Sequence, residues 1–268
     1  MKPDNTGPFT STTPFTREFS IGARFKLDLF EEATQSICAT IEKRMSASLI
    51  APAGSGKTAV LRAVSDQLAA ARYKVTYIKV TDISQRDMCR QVSLAIGAKP
   101  ASLFFSLVES VQNCLSDDYH VRGLRPVLLI DEAQDMRPET VSILKLLTNF
   151  EMDSRLVVSF VLAGQPALRQ LLEKERLQDI AQRIYHHTEL RLLSQGESHD
   201  YLRHRWSMAS SGPFPFDERS LQAIFEMGRG NMRAMESLAL KALEMAQSKK
   251  IACVDESLIV QARKTLWL

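Results

Sequence analysis

The sequence predicts an α/β fold, in which helices cover both faces of a parallel sheet and a small domain made only of helices follows. Up to residue 193, apolar runs of strand length alternate with longer segments of helical spacing, and after it only the helical spacing remains. The chain has 268 residues, of which 45% are hydrophobic and 24% charged, so it can bury one large core and a smaller second one.

The core elements begin with an amphipathic helix predicted over 27–45. The pattern of the chain predicts strands at 47–51, 74–80, 126–131, 155–163 and 187–192. Helical spacing predicts the intervening helices at 57–71, 85–96, 103–116 and 138–150, and more than one helix near 166–183. Because the run at 126–131 is almost entirely apolar before its terminal aspartate, it predicts a strand buried on both faces, as in a parallel sheet.

The C-terminal helical domain is assigned to residues 194–268, after a core domain at 20–193. Its helices are predicted at 195–210, 217–228, 231–247 and 255–265. Asp217 and Asp255 precede two of these helices as N-caps, since a carboxylate there accepts hydrogen bonds from N–H groups of the first turn.

Residues 1–19 are rich in Thr, Ser and Pro, and this composition predicts a flexible N-terminal arm. Phe9, Phe15 and Phe19 are spaced along the arm as hydrophobic anchors. The pattern is consistent with a disordered tail, and also with an arm that docks on a neighbouring subunit or another partner.

A phosphate-binding loop is predicted at residues 51–58, which read A-P-A-G-S-G-K-T and follow the first strand. Small residues let the backbone curl so that its N–H groups point at a polyphosphate, while Lys57 supplies a charge for the β- and γ-phosphates and Thr58 a hydroxyl for Mg²⁺. Ala51 takes the place of the glycine that usually begins this pattern. The residues predicted to bind the nucleotide are Ala53, Gly54, Ser55, Gly56, Lys57, Thr58 and Ala59.

Two carboxylates follow the apolar run 126–131, where the strand ends. Open α/β sheets bind ligands at the carboxyl ends of their strands, so Asp131 and Glu132 are expected beside the phosphates. Asp131 is predicted to hold Mg²⁺, through water, and Glu132 to polarise the water that attacks the γ-phosphate. Together with the loop, these residues predict an enzyme that hydrolyses ATP to ADP and phosphate.

A series of motifs extends the match beyond the nucleotide site. The series reads L-L-I-D-E-A-Q-D-M-R-P-E-T (128–140), L-K-L-L-T-N-F-E (144–151), V-L-A-G-Q-P-A-L-R-Q-L-L (161–172) and L-Q-D-I-A-Q-R-I (177–184). Over residues 20–265 the chain resembles the AAA+ P-loop ATPases. Within them it is similar to the branch of ExeA, the general secretion pathway ATPase, which lies close to the transposition ATPases TnsC, TniB, MuB and IstB.

The resemblance implies roles for four further residues. Gln165 matches the position of the sensor-1 residue, a polar group that reads the γ-phosphate. Arg183 matches the arginine finger, which reaches the nucleotide of the adjacent subunit, and Arg176 is the competing candidate. Arg233 matches sensor 2, the arginine that folds the helical lid over the nucleotide.

An arginine finger supplied by a neighbour implies a homo-oligomer, either a closed ring or a helical filament. The transposition relatives form such assemblies around double-stranded DNA, and we expect phosphate contacts without base readout. The candidate contact residues are Lys79, Thr81, Ser84, Arg86, Lys99 and Ser102. A second basic-aromatic group lies at Arg203–Trp206, where Trp206 is expected to pack the lid core instead.

Three function classes follow from the resemblance, of which the first two compete most directly. The first is a transposition regulator, an ATPase that selects target DNA and recruits or stimulates a transposase, with a target-selection protein as a further partner. The second is a secretion ATPase that drives assembly of an envelope complex. A nucleotide switch with little turnover is the third. The Thr- and Pro-rich arm, the net charge of +3 and the end of the chain just after the lid favour transposition. Scattered cysteines and the lack of a signal-peptide core favour a cytoplasmic protein without a membrane partner.

Overall fold

The computed structural model describes residues 13–16, 24–99, 101–150 and 155–267. The proposed anchors Phe9 and Phe19 lie outside these residues. Contacts divide the chain into two compact units. One unit holds residues 28–52 and 57–190, and the other holds 53–56, 191–268 and the described residues before Asp28. The short segment 53–56 of the phosphate-binding loop thus groups with the helical domain.

The larger unit contains a parallel sheet in the order β2-β3-β4-β1-β5, which confirms the predicted α/β class. The strands are β1 (Ser46–Ile50), β2 (Tyr73–Lys79), β3 (Arg125–Asp131), β4 (Ser159–Gly164) and β5 (Ile184–Glu189). Every residue of β1 and β4 is buried, whereas the edge strands β2 and β5 contain both buried and exposed residues. In register, Ile50 pairs with Gly164 and Lys79 with Asp131, so β1, β2, β3 and β4 end at a common edge.

Seven helices belong to the larger unit with this sheet, and four further helices belong to the second unit, within the described residues. In the larger unit they are α1 (Asp28–Glu42), α2 (Lys57–Gln67), α3 (Gln85–Ile96), α4 (Phe104–His120), α5 (Pro138–Thr148), α6 (Ala167–Leu172) and α7 (Gln178–Ala181). In the C-terminal domain they are α8 (Gln195–Ser207), α9 (Glu218–Gly228), α10 (Met232–Ser248) and α11 (Glu256–Lys264). Side chains of Asp217 and Asp255 accept first-turn N–H groups, as predicted.

The structure confirms the helices predicted near 166–183. The chain forms α6, a 3₁₀ turn at Glu175–Leu177 and the one-turn helix α7. Leu172 and Leu177 are both buried. In one continuous helix, the positions on the same face as Leu172 would be three and four residues later, and these positions hold the charged residues Glu175 and Arg176. Leu177, in the 3₁₀ turn, is buried in the core. Strand β5 begins at Ile184, three residues before the predicted start at 187.

The segment Arg203–Trp206 packs within the helical domain. Trp206 is buried and its Nε1 donates to the carbonyl of Gly212 at 3.0 Å, which confirms its place in the lid core. Arg205 is also buried and pairs with Glu236 at 3.0 Å. In the same unit, Phe15 is buried against Phe216, so one predicted anchor of the arm does dock on the lid of its own chain.

Candidate functional site

The phosphate-binding loop follows β1 and owes its shape to two glycines. Gly54 and Gly56 have φ values of +72° and +95°, a left-handed conformation that side chains with a Cβ rarely adopt. At Gly54 a Cβ would lie 2.0 Å from Oδ1 of Asn231, so this contact also excludes a larger residue. The loop then leads into α2 at Lys57, and the unpaired N–H groups of that first turn give it a partial positive charge.

Asn231, at the start of α10, holds the loop segment 53–56 within its own unit. Its Nδ2 donates to the carbonyl of Ala53 at 2.8 Å, and its Oδ1 accepts the N–H of Ala234 as the helix cap. The N–H of Met232 donates to the carbonyl of Gly54 at 3.0 Å. Arg233, the next residue along the chain, is exposed in the first turn of α10.

Lys57 contacts two carboxylates at the end of β3, that of Asp131, its last residue, and that of Glu132, the residue after it. Its Nζ lies 2.8 Å from Oδ1 of Asp131 and 2.9 Å from Oε2 of Glu132. The lysine is buried, so these charge-assisted contacts compensate for the loss of its hydration. The loop and the acidic strand, which the sequence predicts to form one site, are thus in contact.

The carboxylate of Asp131 accepts three hydrogen bonds in addition to its contact with Lys57. Thr58 donates from Oγ1 to its Oδ2 at 3.2 Å, Tyr77 donates from its hydroxyl to Oδ2 at 3.0 Å, and the N–H of Glu132 donates to its Oδ1 at 2.8 Å. Burial acts to raise the pKa of Asp131, but the hydrogen bond and charge of Lys57 hold the pKa below its usual value. Burial and the Asp131 charge in turn raise the pKa of Tyr77.

Glu132 has a φ of +58°, an uncommon backbone conformation for a residue with a side chain. This turn directs the chain from β3 into a short 3₁₀ helix at Ala133–Asp135. Burial acts to raise the pKa of Glu132, but hydrogen bonds from Lys57 and Gln134 hold it below its usual value, so the carboxylate stays ionised at neutral pH.

Gln134 links the acidic strand to the end of β4. Its Nε2 donates to Oε2 of Glu132 at 3.0 Å, and its Oε1 accepts the backbone N–H of Gln165 at 2.9 Å. Gln134 lies in the sequence motif 128–140, but the sequence alone assigned it no role. The sequence likewise assigned no role to Tyr77 and Asn231, whose site contacts depend on residues far away in the chain.

The oxygens of the site suit a nucleotide with Mg²⁺. Thr58 and Asp131 offer a hydroxyl and an ionised carboxylate within 3.2 Å of each other, and Mg²⁺ prefers oxygen ligands of this kind. The other predicted nucleotide-binding residues follow one another in the loop and the first turn of α2. Ser55 is buried, Gly56 and Ala59 are half-buried, and Ala53 is exposed.

The candidate arginine fingers lie in the larger unit. Arg176 is exposed and pairs with Glu139 at 2.5 Å. Arg183 is half-buried in the turn between α7 and β5. Hydrogen bonding and charge from Lys145 lower the pKa of Asp179, and the charge of Arg183 adds to this effect.

The predicted DNA contacts fall into two groups. Lys79, Thr81 and Lys99 are exposed. Ser84 is the N-cap of α3, with its hydroxyl 3.2 Å from the N–H of Asp87, and Arg86 donates to the carbonyl of Ser102 at 2.6 Å. The side chains of Ser84 and Arg86 therefore already have local structural partners. Within the described ranges, the structure contains no helix with the length and apolar character of a membrane span.

Comparison with known proteins gives similarities in sequence and in fold. Residues 41–172 match the family model described as AAA domain. The chain is 32% identical to general secretion pathway protein A of Aeromonas hydrophila over 213 residues, which make up 76% of this chain and 38% of the relative. The chain thus spans well under half the length of that relative.

Two similar solved structures are named Cdc6p and ORC2. Cdc6p of Pyrobaculum aerophilum aligns over 98% of this chain and 73% of its own, with a TM-score of 0.75 and 15% identity. The ORC2 protein of Aeropyrum pernix aligns over 96% and 72%, with a TM-score of 0.71 and 15% identity.

A third similar structure is RuvB of Thermotoga maritima, a Holliday junction branch migration motor, which covers 89% of this chain and 68% of its own length. Its TM-score is 0.59 at 15% identity, so the likeness concerns the fold. Residues 41–172 match an AAA domain, and the chain has the fold of the AAA+ P-loop ATPases.

Proposed function

We propose that the chain hydrolyses ATP at the Lys57–Asp131–Glu132 cluster and that its ATP-bound oligomer binds duplex DNA as a transposition regulator. The observation that carries the catalytic part is the pair of contacts from Lys57 to Asp131 and Glu132, at 2.8 and 2.9 Å. They support the proposal because the loop lysine lies beside the two carboxylates to which we give the roles of metal ligand and general base.

Each residue then has a distinct task. Lys57 and the N–H groups of residues 53–59 bind the phosphates, while Thr58 and Asp131 would hold Mg²⁺, which neutralises charge on the β- and γ-phosphates when bound. Glu132, kept ionised, accepts a proton from the attacking water. Gln165 follows β4 as the γ-phosphate sensor, and Arg233 acts as sensor 2 from the start of α10.

We expect Arg183 to act on the nucleotide of a neighbouring subunit. Arg183→Ala should bind ATP but lose about 1,000-fold or more in turnover, because a finger stabilises charge on the transferred phosphoryl group. Mixing Arg183→Ala with Lys57→Ala should restore activity, since one variant keeps the pocket and the other keeps the finger. The measurement is steady-state ATP hydrolysis of each variant alone and of the mixture.

Arg176→Ala is the matched control for this experiment. Its guanidinium already pairs with Glu139 on the same chain, so its loss should leave turnover near the wild-type rate. Inactive mixtures together with an inactive Arg176→Ala variant would transfer the finger role to Arg176.

The DNA part of the proposal is supported by exposed lysines and by a structure of similar fold that was solved with DNA. Lys79 and Lys99 are exposed, and Lys79 ends β2 at the same sheet edge as Asp131. Similar structures include an ORC1 protein of Aeropyrum pernix solved in complex with DNA. One chain with a net charge of +3 offers few phosphate contacts, so an ordered array supplies the affinity through avidity.

We therefore expect tight duplex binding only with ATP or a non-hydrolysable analogue. The affinity should fall steeply with salt and depend little on sequence, because each neutralised phosphate releases about one counterion. Removing the charge at Lys79 or Lys99 should weaken binding equally on all sequences and flatten the salt dependence. Fluorescence anisotropy at several salt concentrations measures both effects.

Lys264→Ala is the control for that measurement, since it removes the same charge from the exposed end of α11. An equal loss of affinity in this control would mean that net charge, and not the β2 edge, governs binding. Affinity that does not depend on nucleotide would contradict the DNA part of the proposal.

A second candidate function is supported by the relative from Aeromonas hydrophila. The 32% identity to general secretion pathway protein A favours an ATPase of envelope assembly. Absence of DNA binding by an oligomer shown to be loaded with ATP would favour this function. The Lys57 and Glu132 roles are common to both candidates.

A further inference from the structure

Gln134 occupies a position between two groups with separate proposed roles. Its amide nitrogen contacts Glu132, the general base, and its amide oxygen contacts the N–H of Gln165, the γ-phosphate sensor. The two contacts, at 3.0 and 2.9 Å, use opposite ends of one planar amide. A shift of one end therefore changes the position of the other.

Gly164, the last residue of β4, leaves room for this amide. A Cβ at Gly164 would lie 2.8 Å from Oε1 and 3.1 Å from the backbone nitrogen of Gln134. Gly164 does not have a positive φ, so the absence of a side chain is explained by this close approach and not by the backbone. The strand end is shaped to receive the glutamine.

Glu132 also needs a partner that fixes its orientation. It has a positive φ, and its other side-chain contact is with Lys57, the residue proposed to bind the phosphates. Once Lys57 turns to the phosphates, Gln134 is the neutral donor that holds the carboxylate in place. A neutral donor fixes the geometry without adding a charge that would weaken Glu132 as a base.

We propose that Gln134 is a positioning residue that couples the sensor at Gln165 to the general base Glu132. Movement of the Gln165 backbone is transmitted through the amide of Gln134 to the Glu132 carboxylate. The inference rests on the proposed function of the site and adds a route by which the γ-phosphate sensor orients the base. Hydrolysis then depends on both contacts of Gln134, whereas nucleotide binding depends on neither.

Gln134→Ala removes both contacts, and Gln134→Glu keeps an acceptor for Gln165 but loses the donor to Glu132. Both variants should reduce kcat by about 10- to 100-fold with ATP affinity within about twofold of the wild type, as outer partners of a site commonly do. Gln67→Ala, at the far end of α2 and about 15 Å along that helix from Lys57, should leave kcat unchanged.

Hydrogen exchange of the Gln165 amide gives a readout that does not require turnover. In the nucleotide-free protein, Gln134→Ala should lose protection at this amide, while Gln134→Glu should retain it. Gly164→Ala should lower kcat by displacing the glutamine, and it should cost less in the Gln134→Ala background, because the main clash is then absent.

Three outcomes decide the inference. Wild-type kcat in both Gln134 variants would overturn the coupling and leave the proposed ATPase function intact. Loss of ATP affinity in parallel with kcat would also overturn it, since the residue would then shape the pocket as a whole. A wild-type protein that binds ATP without turnover would overturn the proposed function and the coupling together.

Discussion

Replacing Lys57 with alanine should weaken ATP binding by about 100-fold or more and abolish every step that depends on it. Truncating one partner of a buried, hydrogen-bonded charge pair commonly costs about 2–5 kcal/mol, or roughly 30- to 5,000-fold in affinity, and the expected loss lies within this range. The β- and γ-phosphates would then meet Asp131 and Glu132 without the intervening ammonium group. Titration with a fluorescent ATP analogue measures the affinity.

Lys43→Ala is the control for the Lys57 experiment. Lys43 is exposed just after α1, so its removal should leave ATP affinity unchanged. Lys57→Ala also leaves the buried Asp131 and the half-buried Glu132 without their cation, and circular dichroism of both variants checks that the sheet still folds. A folded Lys57→Ala variant that binds ATP with wild-type affinity would refute the assignment of the site.

Replacing Glu132 with glutamine should leave ATP binding intact and reduce turnover by about 100- to 10,000-fold, the range over which a general base contributes. Glutamine has the size of glutamate and keeps an oxygen that can accept from Gln134, but it cannot take a proton from water. The variant should therefore accumulate the ATP-bound state. Single-turnover hydrolysis and nucleotide affinity, measured on the same sample, separate chemistry from binding.

Glu173→Gln is the matched control for this substitution. Glu173 is an exposed glutamate at the end of α6, and the same exchange there should not change turnover. Hydrolysis by Glu132→Gln at the wild-type rate would mean that another residue activates the water.

Local patterns were sufficient to predict the sheet and the centre of the site. The loop at 51–58 and the strand at 126–131 carry their structure in neighbouring residues, because small residues permit the curl and a nearly continuous apolar run is stable only when buried. Since strand ends of a parallel sheet share one edge, the meeting of Lys57 with Asp131 followed from these two segments alone. The N-caps at Asp217 and Asp255 are local in the same way.

Contacts between distant residues were beyond such reasoning. Arginine side chains are usually exposed, yet Arg205 is buried, because Glu236, 31 positions later, supplies its charge partner. The break between α6 and α7 arises because Leu177 must reach the core. Both outcomes depend on which side chains the fold brings together.

The sequence by itself determined the fold class, the phosphate-binding loop and the two carboxylates of this protein. Only the tertiary structure decided how Gln134 bridges Glu132 and Gln165, and how Asn231 occupies the space that Gly54 leaves open. The physical reason is the range of the interactions. Backbone preference and burial act over a few residues and are visible in a short segment, whereas a hydrogen bond between side chains on different elements exists only after those elements have packed.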